Sequence, residues 1–215
     1  MTDIKICGIR DYESGLVAQK YGANYLGFVF HKPSPRYIDP SQASDIIKKL
    51  RENIQSPTKY VGLFVNKDIN EVLDISQTCN LDIIQLSGEE SPDYCSAISL
   101  PVFKVIHIAP LDTIGDIERK MDLYLNHVDK IMLDNGGTVL KGGTGKTFNW
   151  DIAKQLSQKG HKFLLAGGLN ISNISEAILS LNPIGLDISS GVETQGIKDH
   201  DKIITLLNLT HSLQK

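Results

Sequence analysis

The run Lys5-Ile6-Cys7-Gly8-Ile9-Arg10 sets a thiol at the C-terminal end of a short apolar strand. A glycine follows, and a helix-like stretch opens at Asp11. As a thiolate, cysteine is a competent base and nucleophile, although a cysteine between isoleucines is more often an inert core residue. Asp134 holds the same kind of position, at the end of Lys130-Ile131-Met132-Leu133. A carboxyl half removed from water has a raised pKa and can act as a general acid, its bland role being loop or helix capping. Arg36, in Ser34-Pro35-Arg36-Tyr37, carries a planar fork suited to a carboxylate. A solvated surface arginine is the bland alternative. His31 and His107 also fall near strand ends and are read as satisfied or solvent-facing.

Two glycine-containing clusters suit a phosphate. Leu164-Leu165-Ala166-Gly167-Gly168-Leu169-Asn170 follows one strand and Asp187-Ile188-Ser189-Ser190-Gly191 follows the next. Glycines at such ends let backbone N–H groups close on phosphate oxygens, and a helix N-terminus adds partial positive charge. Gly168, Ser190 and Gly191 are the candidate contacts. The segment Lys141-Gly142-Gly143-Thr144-Gly145-Lys146-Thr147 looks like a nucleotide-binding loop, but Leu140 stands where that motif needs its first glycine. It is read instead as a lid over the site.

The elements that must carry these residues alternate along the chain. Expected strands are Ile4–Cys7, Tyr25–Phe30, Tyr60–Val65, Ile83–Leu86, Val102–Ile106, Lys130–Leu133, Phe163–Ala166 and Ile184–Ile188. Helical patterns separate them: Tyr12–Lys20, Pro40 to about Leu50, Ile69 to Ser76, one from near Pro92, Asp112–Leu125, Asn149–Gln158 and Ser172–Leu181. A last helix runs from His200 to Leu213. Short β-branched runs between helices imply parallel strands buried on both faces. Eight such units in 215 residues fit an α/β, single-domain (βα)8 barrel spanning residues 1–215. In that fold the site lies at the C-terminal strand ends, and the loops after strands seven and eight often hold phosphate.

A formal charge of −3 with no polybasic block argues against a nucleic-acid partner. Three cysteines, Cys7, Cys79 and Cys95, are an odd count without metal-binding spacing, which suits reduced thiols, a cytoplasmic protein and no metal. No signal peptide is expected, and no apolar run reaches the ~20 residues of a membrane span.

Together these stretches resemble the phosphoribosylanthranilate isomerase family. The resemblance rests on Lys5–Ile9, Gly27–Phe30 with Ser34–Ile38, Val61–Asn66 and Gln85-Leu86-Ser87-Gly88. It continues through Leu133-Asp134, Gly142–Phe148, Ala166–Leu169 and Asp187–Glu193. It implies a (βα)8 barrel acting in tryptophan biosynthesis on a small phosphorylated substrate, N-(5-phosphoribosyl)anthranilate, without cofactor or metal. It also implies Cys7 as general base, Asp134 as general acid, Arg36 facing the anthranilate carboxylate, and Gly168, Ser190 and Gly191 at the phosphate. Asp187 is expected to orient a sugar hydroxyl. A monomer is the expected state, with a homodimer the alternative. Two departures stand out: the family usually has His at Ser87, and Asp at Asn149.

The implied reaction is an Amadori rearrangement, in which ring-oxygen protonation opens the furanose and C2 deprotonation gives an enolamine. A related barrel enzyme acting on another aminosugar phosphate would keep the glycines without needing Cys7, Arg36 and Asp134 together. A non-catalytic phosphate-metabolite binder or nucleotide-dependent switch would rest on the 142–147 loop.

Overall fold

The computed structural model describes residues 2–134 and 150–214, so the expected lid and Asn149 lie outside the described residues. Eight parallel strands close a barrel in sequence order: β1 (Asp3–Cys7), β2 (Tyr25–Val29), β3 (Lys59–Phe64), β4 (Ile83–Leu86), β5 (Val102–His107), β6 (Lys130–Asp134), β7 (Leu164–Ala166) and β8 (Gly185–Ile188). β1 pairs with both β2 and β8, which completes the ring. The helices are α1 (Tyr12–Lys20), α2 (Pro40–Asn53), α3 (Ile69–Thr78), α4 (Pro92–Ser96), α5 (Ile114–Asp122), α6 (Asp151–Gln158), α7 (Ile174–Leu181) and α8 (His200–Ser212).

Strand side chains alternate between two apolar layers, because successive residues point to opposite faces. Ile4, Ile6, Leu26, Phe28, Ile84 and Leu133 belong to the layer packed with helical residues such as Ile47, Val72 and Leu206. Tyr25, Val61, Ile83, Phe103, Val105, Met132, Leu164 and Ala166 form a separate cluster inside the barrel. Lys5 and Cys7 share one parity of β1 and lie in register with Tyr25 and Gly27. The same alternation that buries Ile4 and Ile6 outside the barrel therefore sends Lys5 and Cys7 inward.

Strand-to-helix loops are closed by side-chain caps. Asp11 accepts from the Ser14 N–H at 2.7 Å, and Asp68 and Asp199 cap α3 and α8 in the same way. Each such cap stabilises its helix by about 1 kcal/mol. α5 starts later than the apolar pattern predicts, because Thr113 and Asp116 form a capping box that fixes its start at Ile114.

One element was not anticipated. A two-stranded hairpin, β9 (Glu193–Thr194) and β10 (Ile197–Lys198), sits between β8 and α8. Its turn residues Gln195 and Gly196 have φ of 52° and 78°, as a tight primed turn needs. The Arg10 guanidinium donates to the Gly196 carbonyl and to the Pro35 carbonyl, both at 2.9 Å. It thus ties the hairpin to the loop that carries Arg36. Among the described residues no helix is long and apolar enough to cross a membrane.

Candidate active site

A cavity of about 280 Å³ opens at the C-terminal ends of the strands. Cys7, Asp134, Arg36, Asp187, Gly168 and Ser190 all line it, with Val29, Leu63 and Met132 supplying apolar wall. Six of the seven sequence-predicted site residues are thus brought to one chamber. Gly191 is not on its wall. It forms a bridge with Asn170, where any side chain would overlap the Leu169 carbonyl oxygen. Glycine there lets the loops after β7 and β8 approach closely. Asn170 and Asn173 donate from their side-chain amides to the Gly168 carbonyl at 3.1 and 3.0 Å, fixing the first of those loops.

Cys7 is buried and borders charged groups of both signs. Lys5, wholly buried, donates to Asp187 Oδ1 at 2.9 Å, and its ammonium acts on the neighbouring thiol. Burial pushes the Cys7 thiol above its ordinary value; Lys5 and Lys198 pull it down and Asp187 pushes it up, leaving a net rise. Burial also pulls the Lys5 ammonium down, but Asp187 and Cys7 outweigh it, so Lys5 stays protonated. Gly27 makes this arrangement possible. A Cβ there would lie 2.8 Å from Cys7 Sγ and 2.9 Å from Lys5 Nζ, so β2 leaves its side-chain space to them.

Arg36 is engaged by a carboxylate of the protein itself. Its Nε and Nη2 donate to the two Glu193 oxygens at 2.7 Å each, leaving the Nη1 edge of the guanidinium outside that fork. Lys198 donates to Glu193 Oε1 at 2.8 Å and to the Ser189 carbonyl at 2.9 Å. The Arg36 bonds, helped by Lys198, hold the Glu193 carboxyl at about 2. Two cations surround one anion, and Arg36 is the member of this cluster that lines the cavity.

Asp134, about a third exposed, stands opposite His107 in the β5–β6 register. His107 Nδ1 lies 3.8 Å from Asp134 Oδ2, and its Nε2 is 2.9 Å from the Ser87 carbonyl. A carbonyl only accepts, so Nε2 carries hydrogen. An imidazole therefore does stand beside the β6 carboxyl, supplied by β5 rather than by the Ser87 position. The sequence signal was parity: His107 continues the inward series Phe103, Val105. Lys5 was legible in the same way, as the residue two before Cys7. Glu193 and Lys198 reach the site only through the hairpin. Among the described residues no group of three or more His, Cys, Asp or Glu is arranged to hold a metal ion.

Comparison with known proteins gives a consistent result. The family model for N-(5'-phosphoribosyl)anthranilate (PRA) isomerase matches residues 4–209. The chain is 42% identical over 207 residues to the N-(5'-phosphoribosyl)anthranilate isomerase of Trichlorobacter lovleyi, covering 94% of this chain and 95% of that one. It is similar in structure to the phosphoribosyl anthranilate isomerase of Thermotoga maritima, with a TM-score of 0.85 and 34% identity over 99% of this chain and 100% of the other. A further isomerase structure, at 32% identity and a TM-score of 0.82 over 99% and 100% of the two chains, is a complex with reduced 1-(o-carboxyphenylamino)-1-deoxyribulose 5-phosphate.

Proposed function

The chain belongs to the N-(5'-phosphoribosyl)anthranilate isomerase family, and on that premise we propose how its own residues share the work. The substrate is N-(5-phosphoribosyl)anthranilate and the product 1-(2-carboxyphenylamino)-1-deoxyribulose 5-phosphate, in tryptophan biosynthesis. Asp134 gives its proton to the furanose ring oxygen. The C1–O bond breaks onto that oxygen while the nitrogen lone pair forms C1=N, a protonated Schiff base. Cys7, as thiolate, then takes the C2 proton. The C–H electron pair becomes C1=C2, and the C=N pair returns to nitrogen. The resulting enolamine loses its C2 hydroxyl proton and gains one at C1, giving the ketone. Oxidation at C2 balances reduction at C1, so the step is an internal redox exchange.

The observation that carries this reading is the single cavity lined by Cys7, Asp134 and Arg36 together with Gly168 and Ser190. Its breadth lets one end of a substrate meet backbone groups after β7 and β8 while the other meets a cation. Arg36 offers its Nη1 edge to the anthranilate carboxylate, and the net positive charge it shares with Glu193 and Lys198 favours that anion. Gly168 and Ser190 take the phosphate, with Gly191 keeping their loops together. Asp187 turns its carboxylate toward a sugar hydroxyl. Fixing both ends holds the ribose between acid and base and removes much of the entropic barrier. Three free, buried cysteines suit a reducing cytoplasm.

The test is an anthranilate-fluorescence assay, with substrate made in situ and purified protein added. Loss of the substrate signal with formation of the ketose is expected. A protein that leaves this substrate intact while rearranging another aminosugar phosphate contradicts the reading.

A further inference from the structure

We propose that Lys5 is a positioning residue for the reaction: its ammonium, clamped by Asp187 beside Cys7, lowers the cost of forming the thiolate that takes the C2 proton. The proposal rests on the reading of Cys7 as general base. Three independent features of the fold converge on it. First, Lys5 and Cys7 are two residues apart on β1 and therefore share the inner face of the barrel. Second, Gly27, the register partner of Cys7, has no side chain, and Sγ and Nζ both crowd the point where its Cβ would be. Third, the ammonium is fully buried and held by Asp187 at 2.9 Å, so its direction is fixed. One of its three N–H groups serves Asp187, and the ammonium shares the space beside Gly27 with the sulfur.

A protonated lysine has no lone pair, so it cannot itself take the C2 proton. It can only lower the cost of the sulfur anion. Throughout the step Lys5 keeps its three protons, while the sulfur passes from thiolate to thiol and the C–H pair enters C1=C2. Without the cation, burial and the Asp187 carboxylate both oppose the thiolate. The charged groups facing Cys7 are Lys5 from β1, Asp187 from β8, Lys198 from β10 and Arg36 from the loop after β2. Lys198 and Arg36 are both bound to Glu193, whose charge offsets them. Among the described residues Asp187 is the carboxylate paired with Lys5, whose ammonium shares the space beside Gly27 with the sulfur.

The experiment is a pH titration of the Cys7 thiolate by ultraviolet absorbance, as the difference between each protein and its Cys7→Ser counterpart. Lys5→Met should raise the titration midpoint by about one pH unit or more, a tenfold loss of thiolate. The acid limb of its kcat profile should move up by the same amount, and product affinity should stay near wild type. A folded Lys5→Met protein with an unmoved midpoint overturns the proposal, whatever happens to kcat. If the stranded Asp187 carboxylate prevents folding, the comparison is Lys5→Met with Asp187→Asn against Asp187→Asn alone, and the same upward move is expected. There too, equal midpoints overturn it. Failure of the base assignment reads differently: Cys7→Ser then keeps its turnover, while the titration still reports whether Lys5 and Cys7 are coupled.

Discussion

Two buried lysine–carboxylate pairs of nearly equal geometry do different work in this barrel. Lys104 meets Glu90 at 2.7 Å, with each side chain 2% exposed, and Lys5 meets Asp187 at 2.9 Å, at 0% and 10%. Lys104 has the outward parity of β5, and its other hydrogen bond goes to the Gly88 carbonyl. Glu90 accepts from the Asn66 and Gly88 N–H groups. Among the described residues the other hydrogen bonds of that pair go to backbone, so it fastens the loops after β3 and β4. Lys5 has the inward parity, and its ammonium shares the space beside Gly27 with a thiol on the cavity wall. Burial of a charge is therefore no sign of function by itself. The identity of the third partner decides.

The largest stability effect is expected on the structural side of this contrast. Lys104→Met strands the Glu90 carboxylate and should cost about 3–5 kcal/mol, read by urea denaturation. Turnover per folded molecule should stay near wild type; lost turnover at full stability would erase the contrast. Arg36→Ala comes next and sharpens the catalytic side. Substrate binding should weaken by about 1.5–3 kcal/mol, the size of a lost charged hydrogen bond, seen as a raised KM. An unchanged KM would make Arg36 merely the partner of Glu193. Glu193→Gln should cost about 1–2 kcal/mol of stability. The Glu193 carboxyl is lowered from 4.5 to about 2, so its contribution is complete above the unfolded value and lost as pH falls toward 2. The stability gap between wild type and variant should close across that window, and a pH-independent gap would deny the ion pair its role. Lys67→Ala, at an exposed i,i+4 pair with Glu71, should cost only about 0.3 kcal/mol and nothing at high salt.

The barrel was legible because each strand is a short run buried on both faces, with turn residues between runs. Its ends were less so: Val29 rather than Phe30 closes β2, and His107 and Asp134 extend β5 and β6 by one residue. Cys7, Asp134 and Arg36 were legible as reactive or forked side chains at strand ends. The charges that govern them were harder to see. Lys5 stood inside the opening motif, but only inward parity with Cys7, against an empty Gly27, gives it a partner. Glu193 and Lys198 depend on a primed turn at Gln195-Gly196, which lacks the usual Asn-Gly or Asp-Gly signature. A backbone reversal written by two such residues leaves little trace in an alternation of apolar runs.

The division of labour between acid and base is tested most directly by kcat beside product affinity in Cys7→Ser and Asp134→Asn. A hydroxyl is a far weaker base than a thiolate, and an amide has no acidic proton to give. Each variant should lose roughly two to four orders of magnitude in kcat. Each should bind product as wild type does, since phosphate and carboxylate are held elsewhere in the cavity. Near wild-type turnover in either folded variant would contradict the role assigned to that residue, and in both would return Cys7 to the core.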